Sequence, residues 1–82
     1  MPSDRFLTLA DVAELLNIRA RLAYELVRRG EIKGIQIGPK GAWRVERAKL
    51  EEYIEQAYDR TASNLKDLPA TMPADEDVDA AR

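Results

Sequence analysis

The side chains best suited to chemistry in this sequence are cations that concentrate in the middle third of the chain. Residues 17–49 contain nine basic and three acidic residues, a local net charge of +6. The whole chain of 82 residues has 13 basic and 15 acidic residues and a net charge of −2. The bases are interleaved with the aromatic residues Tyr24 and Trp43. This distribution, rather than the total charge, is typical of a surface that binds phosphate groups, so it predicts a polyanionic partner.

The absence of two residue types excludes many classes of enzyme. The chain has no Cys and no His, which leaves no zinc site of the usual nitrogen and sulfur type, no thiolate nucleophile and no imidazole base. Its glycines do not have the spacing of a phosphate-binding loop. The carboxylates of Glu51, Glu52 and Glu55 are predicted on an outer helix face, where no pocket would shift their pKa values. We therefore expect a binding module with no enzymatic activity, no cofactor and no metal site.

The cellular location is predicted from the same composition. No apolar run approaches the roughly 18–20 residues that span a bilayer, and residues 1–4 are polar. A chain without Cys has no disulfide framework, which suits a reducing compartment. We expect no signal peptide, no membrane anchor and a cytoplasmic location.

Two short helices are predicted to position the basic residues. Apolar residues recur at helical spacing over residues 9–16, with Thr8 as a good N-cap and Asp11 suited to the positive end of the helix dipole. A second helical pattern covers residues 20–29 and ends at Gly30. Because only three residues separate the two patterns, they predict a compact helix–turn–helix unit.

The next segment predicts a β-hairpin and a third helix. The period changes from 3.6 to 2 over residues 32–37, and a Gly-Pro-Lys-Gly turn leads to a returning strand over residues 42–45. A third helical pattern covers residues 47–58. The order α-α-β-β-α predicts a mainly α fold with a small β-hairpin, a winged helix–turn–helix over residues 5–60. Residues 61–82 are predicted to form an acidic, mostly disordered tail.

Several segments together resemble the small winged helix–turn–helix domains of the excisionase type and of the mercury-resistance-regulator superfamily. The resemblance rests on LTLADVAELLN at residues 7–17, YELVRRGEI at residues 24–32, WRV at residues 43–45 and LEEYI at residues 50–54. It extends over roughly residues 6–56. It implies binding to double-stranded DNA, with the second helix in the major groove and the wing on the backbone or in the minor groove.

The resemblance also implies a set of DNA-binding residues and a function. The second helix and the wing would contribute the side chains of Arg19, Arg21, Tyr24, Arg28, Arg29, Lys33, Lys40 and Arg44. Arg21 is the first choice for a DNA contact because it lies in the first turn of the helix that would enter the groove. We expect a transcriptional regulator of bacterial type that is a monomer, or a set of monomers assembled on DNA.

Two departures from the family pattern leave alternatives open. No Ser or Thr opens the second helix, so Asn17 would have to cap it from an earlier start. Glu25 occupies a position that is often basic; it would repel phosphate, but it could accept a hydrogen bond from a cytosine amino group or orient Arg21. Leu22 and Ala23 stand where polar residues are usual. The alternatives to a regulator are therefore an architectural factor that bends DNA and an adaptor that uses this fold to bind another protein.

Overall fold

The computed structural model describes residues 5–71, which form a winged helix–turn–helix with a three-stranded sheet. Its elements are β1 (Phe6–Leu7), α1 (Leu9–Leu16), α2 (Ala20–Arg28), β2 (Ile35–Ile37), β3 (Ala42–Glu46), α3 (Arg47–Asn64) and a final 3₁₀ turn (Leu65–Asp67). The predicted fold class is confirmed. Within the described residues, no helix is both long enough and apolar enough to cross a bilayer.

The first helix is fixed at both ends by its own residues. The Asp11 N–H donates to Thr8 Oγ1 at 3.0 Å, and the Thr8 N–H donates to Asp11 Oδ2 at 3.1 Å, so the two residues form a capping box. The helix ends at Asn17, whose left-handed backbone (φ 59°) turns the chain. The Ile18 N–H then donates to the Ala13 carbonyl at 2.9 Å. The sharp turn between α1 and α2 follows from this left-handed residue.

The second helix begins without a side-chain cap. Its N-cap residue is Arg19, which makes no capping hydrogen bond, and the helix does not start early enough for Asn17 to cap it. The hypothesis that Asn17 caps this helix is therefore wrong, because Asn17 already closes α1. The helix ends as predicted near Gly30, which has a φ of 82° and donates its N–H to the Val27 carbonyl at 3.0 Å.

The predicted hairpin is present, but its first strand is shorter than expected. Strand β2 pairs antiparallel with β3, with Ile35 opposite Arg44, and the Gly41 N–H closes the turn on the Gly38 carbonyl at 3.1 Å. The sequence did not predict β1, in which Leu7 lies opposite Val45. The sheet order is β1-β3-β2, so the wing is anchored to the residues that precede α1.

The hydrophobic core lies between the helix–turn–helix unit, the sheet and the start of α3. Its buried residues are Leu7, Val12, Ala13, Ala23, Val27, Ile32, Val45 and Leu50. Ile32 was predicted in a strand but lies in the loop before β2, where its side chain is completely buried. The β-branched residues of β2 itself, Ile35 and Ile37, are half-exposed instead. Of the isoleucines in this segment, the core therefore takes the one in the loop rather than the two in the edge strand.

A glycine allows the loop before β2 to lie directly against α2. A Cβ atom at Gly34 would stand 2.9 Å from Val27 Cγ1 and 3.3 Å from the Arg44 carbonyl oxygen. Real Cβ atoms do not approach neighbouring atoms so closely. Gly34 therefore sets how near the wing lies to α2.

The third helix continues six residues past its predicted end at residue 58. Residues 59–64 lack an apolar period, which is why the sequence placed most of them in a tail, but they contain no Gly or Pro to end the helix. The first four residues of the predicted tail are therefore helical. The acidic stretch at residues 75–77 lies outside the described residues.

Candidate nucleic-acid interface

The outward face of α2 carries charged residues because its apolar residues point into the core. Ala23 and Val27 are buried on the inner side. With 3.6 residues per turn, the opposite side of the helix carries Arg21, Glu25 and Arg28. The arginines are exposed, and Glu25 is half-exposed between them. Because of the helical period, α2 has an inner side that packs against the core and an outer side that is charged.

The structure brings three of the predicted DNA-binding residues to one cleft. Arg19, Arg21 and Arg29 line a cleft of about 270 Å³ on the surface of α2, together with Leu22 and Glu25. The cleft is open to solvent and has a central carboxylate among three guanidinium groups.

The N-terminal end of α2 is an exposed concentration of positive charge. Within residues 5–71, neither Arg19 nor Arg21 makes an ion pair with a carboxylate. The N–H groups of the first turn have no side-chain cap, so the positive end of the helix dipole adds to the field of the two guanidinium groups. This end of the helix is therefore suited to an anionic partner.

The C-terminal end of α2 has the same number of arginines, but both are paired. Arg28 Nη2 lies 2.7 Å from Glu25 Oε1, and Arg29 Nη2 lies 3.5 Å from Glu31 Oε2. The hydrogen bond from Arg28 lowers the pKa of Glu25 below its ordinary value, with a further contribution from the charges of Arg29 and Arg21. The same pair raises the pKa of Arg28. Glu25 is thus ionised at neutral pH and bonds to Arg28, not to Arg21 as the sequence had suggested.

The two apolar residues that suggested a protein adaptor lie on different sides of α2. Ala23 is buried in the core, whereas Leu22 is half-buried and lines the cleft together with Arg19 and Arg21. Tyr24 is 40 % exposed at the edge of the outer face. Trp43 is half-buried and packs against the core.

The wing contributes three cations in different settings. Lys40 is exposed in the turn of the hairpin, and Lys33 is exposed along a second cleft of about 150 Å³ that Lys49 and Glu46 also line. Arg44 is half-buried, and its Nη1 donates to the Trp43 carbonyl at 2.7 Å. The Arg44 side chain therefore lies back along its own strand.

The side chains of this surface are chemically suited to ionic contacts. Residues 5–71 contain no group of three or more acidic side chains that could hold a metal ion. The sequence identified the arginines but missed two features, the pairing of Arg28 with Glu25 and the lack of a side-chain cap on α2. The spacing of three residues between Glu25 and Arg28 is the signal that could have revealed the pair.

Comparison with known proteins gives a single result. A family model described as a helix-turn-helix domain matches residues 6–58, which is more than half of the chain. No curated protein and no solved structure matches. The family match supports DNA binding by the helix–turn–helix unit, and domains of this kind are generally not enzymes.

Proposed function

Because the chain belongs to this helix-turn-helix domain family, we propose that it binds double-stranded DNA in a sequence-specific manner and regulates transcription. The observation that carries the proposal is the outer face of α2, on which Arg19 and Arg21 have no carboxylate partner in the described part of the chain. A surface of this kind attracts phosphates and can approach base edges at the same time.

The dimensions of α2 suit the major groove. A helix with its side chains is about 10–12 Å across, and the major groove of B-DNA is about 12 Å wide. Its inner side rests on the core through Ala23 and Val27, so the outer side can enter the groove without disturbing the packing. In this arrangement the N-terminal residues of the helix lie nearest the bases.

The predicted residues then divide into two groups by what they contact. Arg21 projects from the first turn of the helix and is assigned to a base edge, because a guanidinium group matches the O6 and N7 acceptors of guanine. The remaining residues are assigned to the sugar–phosphate backbone, namely Arg19, Tyr24, Arg28, Arg29, Lys33, Lys40 and Arg44. Each phosphate that they neutralise releases counterions, so binding should weaken steeply as salt increases.

A selection experiment tests this function. The full chain is used to select duplexes from a random library at two salt concentrations, and the enriched duplexes are titrated by fluorescence anisotropy. We expect one enriched sequence, which binds in the nanomolar to micromolar range and loses affinity with salt. Failure to bind any duplex at low salt would show that the proposal is wrong.

A matched pair of variants then tests the surface itself. Arg21→Ala removes a cation from the outer face of α2, whereas Lys66→Ala removes one from the 3₁₀ turn after α3. Both residues are exposed, so neither change should affect folding. We expect only Arg21→Ala to weaken binding to the selected duplex. Equal losses in the two variants would show that net charge, and not this surface, controls binding.

Bending of the DNA separates the regulator from an architectural factor. Circular-permutation assays measure how strongly the selected duplex is bent in the complex, and a reporter gene placed after that sequence measures regulation. A change in reporter expression without strong bending is the outcome expected for a regulator. Strong bending without a change in expression would favour the architectural role.

A further inference from the structure

We propose that Glu25 determines part of the sequence preference by accepting a hydrogen bond from the amino group of a cytosine in the major groove. This inference rests on the proposed function, since it requires the outer face of α2 to face the base pairs. Glu25 is the one acidic residue on the outer face of α2, and the proposed function gives it no role. The inference assigns it one.

The position of Glu25 is the first observation. The buried residues Ala23 and Val27 define the inward direction of α2. With successive residues about 100° apart, Glu25 points directly away from the midpoint of those two, and Arg21 and Arg29 lie about 40° to either side. Glu25 therefore occupies the centre line of the surface that would enter the groove, where a side chain meets base edges rather than phosphates.

The charge of Glu25 is the second observation. Hydrogen bonding to Arg28 and the nearby charges of Arg29 and Arg21 lower its pKa, so the side chain is an ionised carboxylate at neutral pH. A carboxylate at this position opposes phosphate binding and can only accept hydrogen bonds. Because of its charge, Glu25 cannot increase the affinity for the DNA backbone. If Glu25 contacts a base, that base must offer a hydrogen-bond donor.

The bases differ in whether they offer such a donor. Guanine presents only the acceptors N7 and O6 in the major groove, and thymine presents the acceptor O4. Adenine has an amino donor, but the adjacent N7 acceptor would face the second carboxylate oxygen. Cytosine presents an amino donor without a neighbouring acceptor on the same base, so it is the base that best fits a carboxylate.

The contact with Arg28 restrains the Glu25 carboxylate and leaves one of its oxygens available to a cytosine amino group. Glu25 Oε1 accepts from Arg28 Nη2 at 2.7 Å, and the Glu25 carboxylate accepts no other hydrogen bond within residues 5–71. Oε2 is therefore available to a base. A side chain that is already held by one hydrogen bond loses less conformational freedom when it forms a second one. The ion pair therefore restrains the Glu25 side chain and leaves one carboxylate oxygen available.

The test compares the base preferences of variants at this position. Random duplex libraries are selected with the full-length protein and with Glu25→Gln and Glu25→Ala. The unaltered protein should enrich cytosine at one position by about tenfold. Glu25→Gln should change that preference to adenine, because an amide can bond both N6 and N7 of adenine. Glu25→Ala should lose the preference and bind unrelated duplexes several-fold more tightly, since a repulsive charge has gone.

Two controls identify the cause of any change. Glu52→Gln removes the same charge from α3, where Glu52 pairs with Lys49 at 3.4 Å, and it should leave the base preference unaltered. Arg28→Ala removes the partner of Glu25 and should weaken the cytosine preference without converting it to adenine. Circular dichroism and thermal melting establish that every variant is folded before selection.

The results that would overturn the inference differ from those that would overturn the proposed function. Suppose that the unaltered protein selects a sequence and that Glu25→Gln and Glu25→Ala select that same sequence. The proposed function would then stand, and Glu25 would not have the proposed role. Loss of the same preference in Arg28→Ala and both Glu25 variants, with no change to adenine, would make Glu25 a positioning residue for Arg28. Failure of the unaltered protein to bind any duplex would refute both.

Discussion

The two ends of α2 carry the same number of arginines in different electrostatic settings. Arg19 and Arg21 at the N-terminal end have no carboxylate partner within residues 5–71, whereas Arg28 and Arg29 at the C-terminal end are paired with acidic side chains 2.7 and 3.5 Å away. An arginine that already has a partner must exchange it for a phosphate, so it gains less from DNA than an unpartnered one. Counting arginines therefore overestimates the binding capacity of this helix.

The difference also gives each end a separate role. The first turn combines unpartnered cations with uncapped N–H groups, which favours anions of any kind. In the last turn, carboxylates hold the arginines in fixed positions. This arrangement favours discrimination between partners by geometry over a general attraction to anions. On the proposed mode of binding, the N-terminal end of α2 supplies most of the affinity and, through Arg21, one base contact, whereas Glu25 in the middle of the helix contributes selectivity.

The largest expected effect is the loss of Arg21. We predict that Arg21→Ala weakens binding to the selected duplex by about 1–3 kcal/mol if the residue reads a base, because an unpartnered guanidinium group is lost. Arg29→Ala should cost less, because Glu31 already compensates that charge. Anisotropy titrations of both variants at one salt concentration measure the difference. A larger loss for Arg29→Ala would contradict the comparison between the two ends.

The next effect concerns how binding depends on salt. Arg19→Ala should reduce the slope of log K against log salt concentration by about 1, as expected for one lost phosphate contact. Arg28→Ala should reduce the slope by a smaller amount, because its counterion is already the carboxylate of Glu25. Titrations at four or more salt concentrations provide the slopes. Equal slopes for the two variants would mean that the ion pair opens completely on DNA.

A smaller gain is expected when Arg29 is released from its partner. We predict that Glu31→Gln increases affinity for unrelated duplexes a few-fold at low salt, because the charge of Arg29 is then available to phosphates. Glu52→Gln on α3 is the matched control, since it breaks an ion pair of similar length with Lys49. If both variants gain equally, the effect comes from net charge alone.

The smallest expected effect is on stability as a function of pH. Arg28 lowers the pKa of Glu25 in the folded protein, so the pair contributes stability above the unfolded-state pKa and loses it as the pH falls through the folded-state pKa. The melting temperatures of the unaltered protein and Arg28→Ala should therefore converge in acid. The effect is small because both groups are exposed to solvent. NMR titration should show the pKa of Glu25 rising in Arg28→Ala.

Local signals in the sequence predicted the local features of the fold. The capping box at Thr8, the helix end at Gly30 and the turn at Gly38–Gly41 each depend on a few adjacent residues, and all three are present. Strand β1 was missed because two residues show no periodicity and their partners lie about 40 positions away. The length of α3 was missed because a helix can continue through polar residues without an apolar pattern.

The candidate site was predicted in composition but not in arrangement. The charge distribution identified the basic residues, and the helical pattern over residues 20–29 placed Arg21 in the first turn of the second helix. The spacing of Glu25 permits an ion pair with Arg21 or with Arg28, and which pair forms depends on side-chain rotamers, which a linear pattern does not encode. The same limit applies to Arg44, whose hydrogen bond to the Trp43 carbonyl depends on the shape of the strand.

The close approach at Gly34 affects the length of a DNA target and not its base sequence. Because the loop before β2 contacts Val27 through a residue without a side chain, the span between α2 and the wing is determined inside the protein. On the proposed mode of binding, this span sets how many base pairs one molecule covers. The identity of those base pairs depends on outer residues such as Glu25. The length of a site and its sequence are thus encoded in different parts of the chain and can change independently.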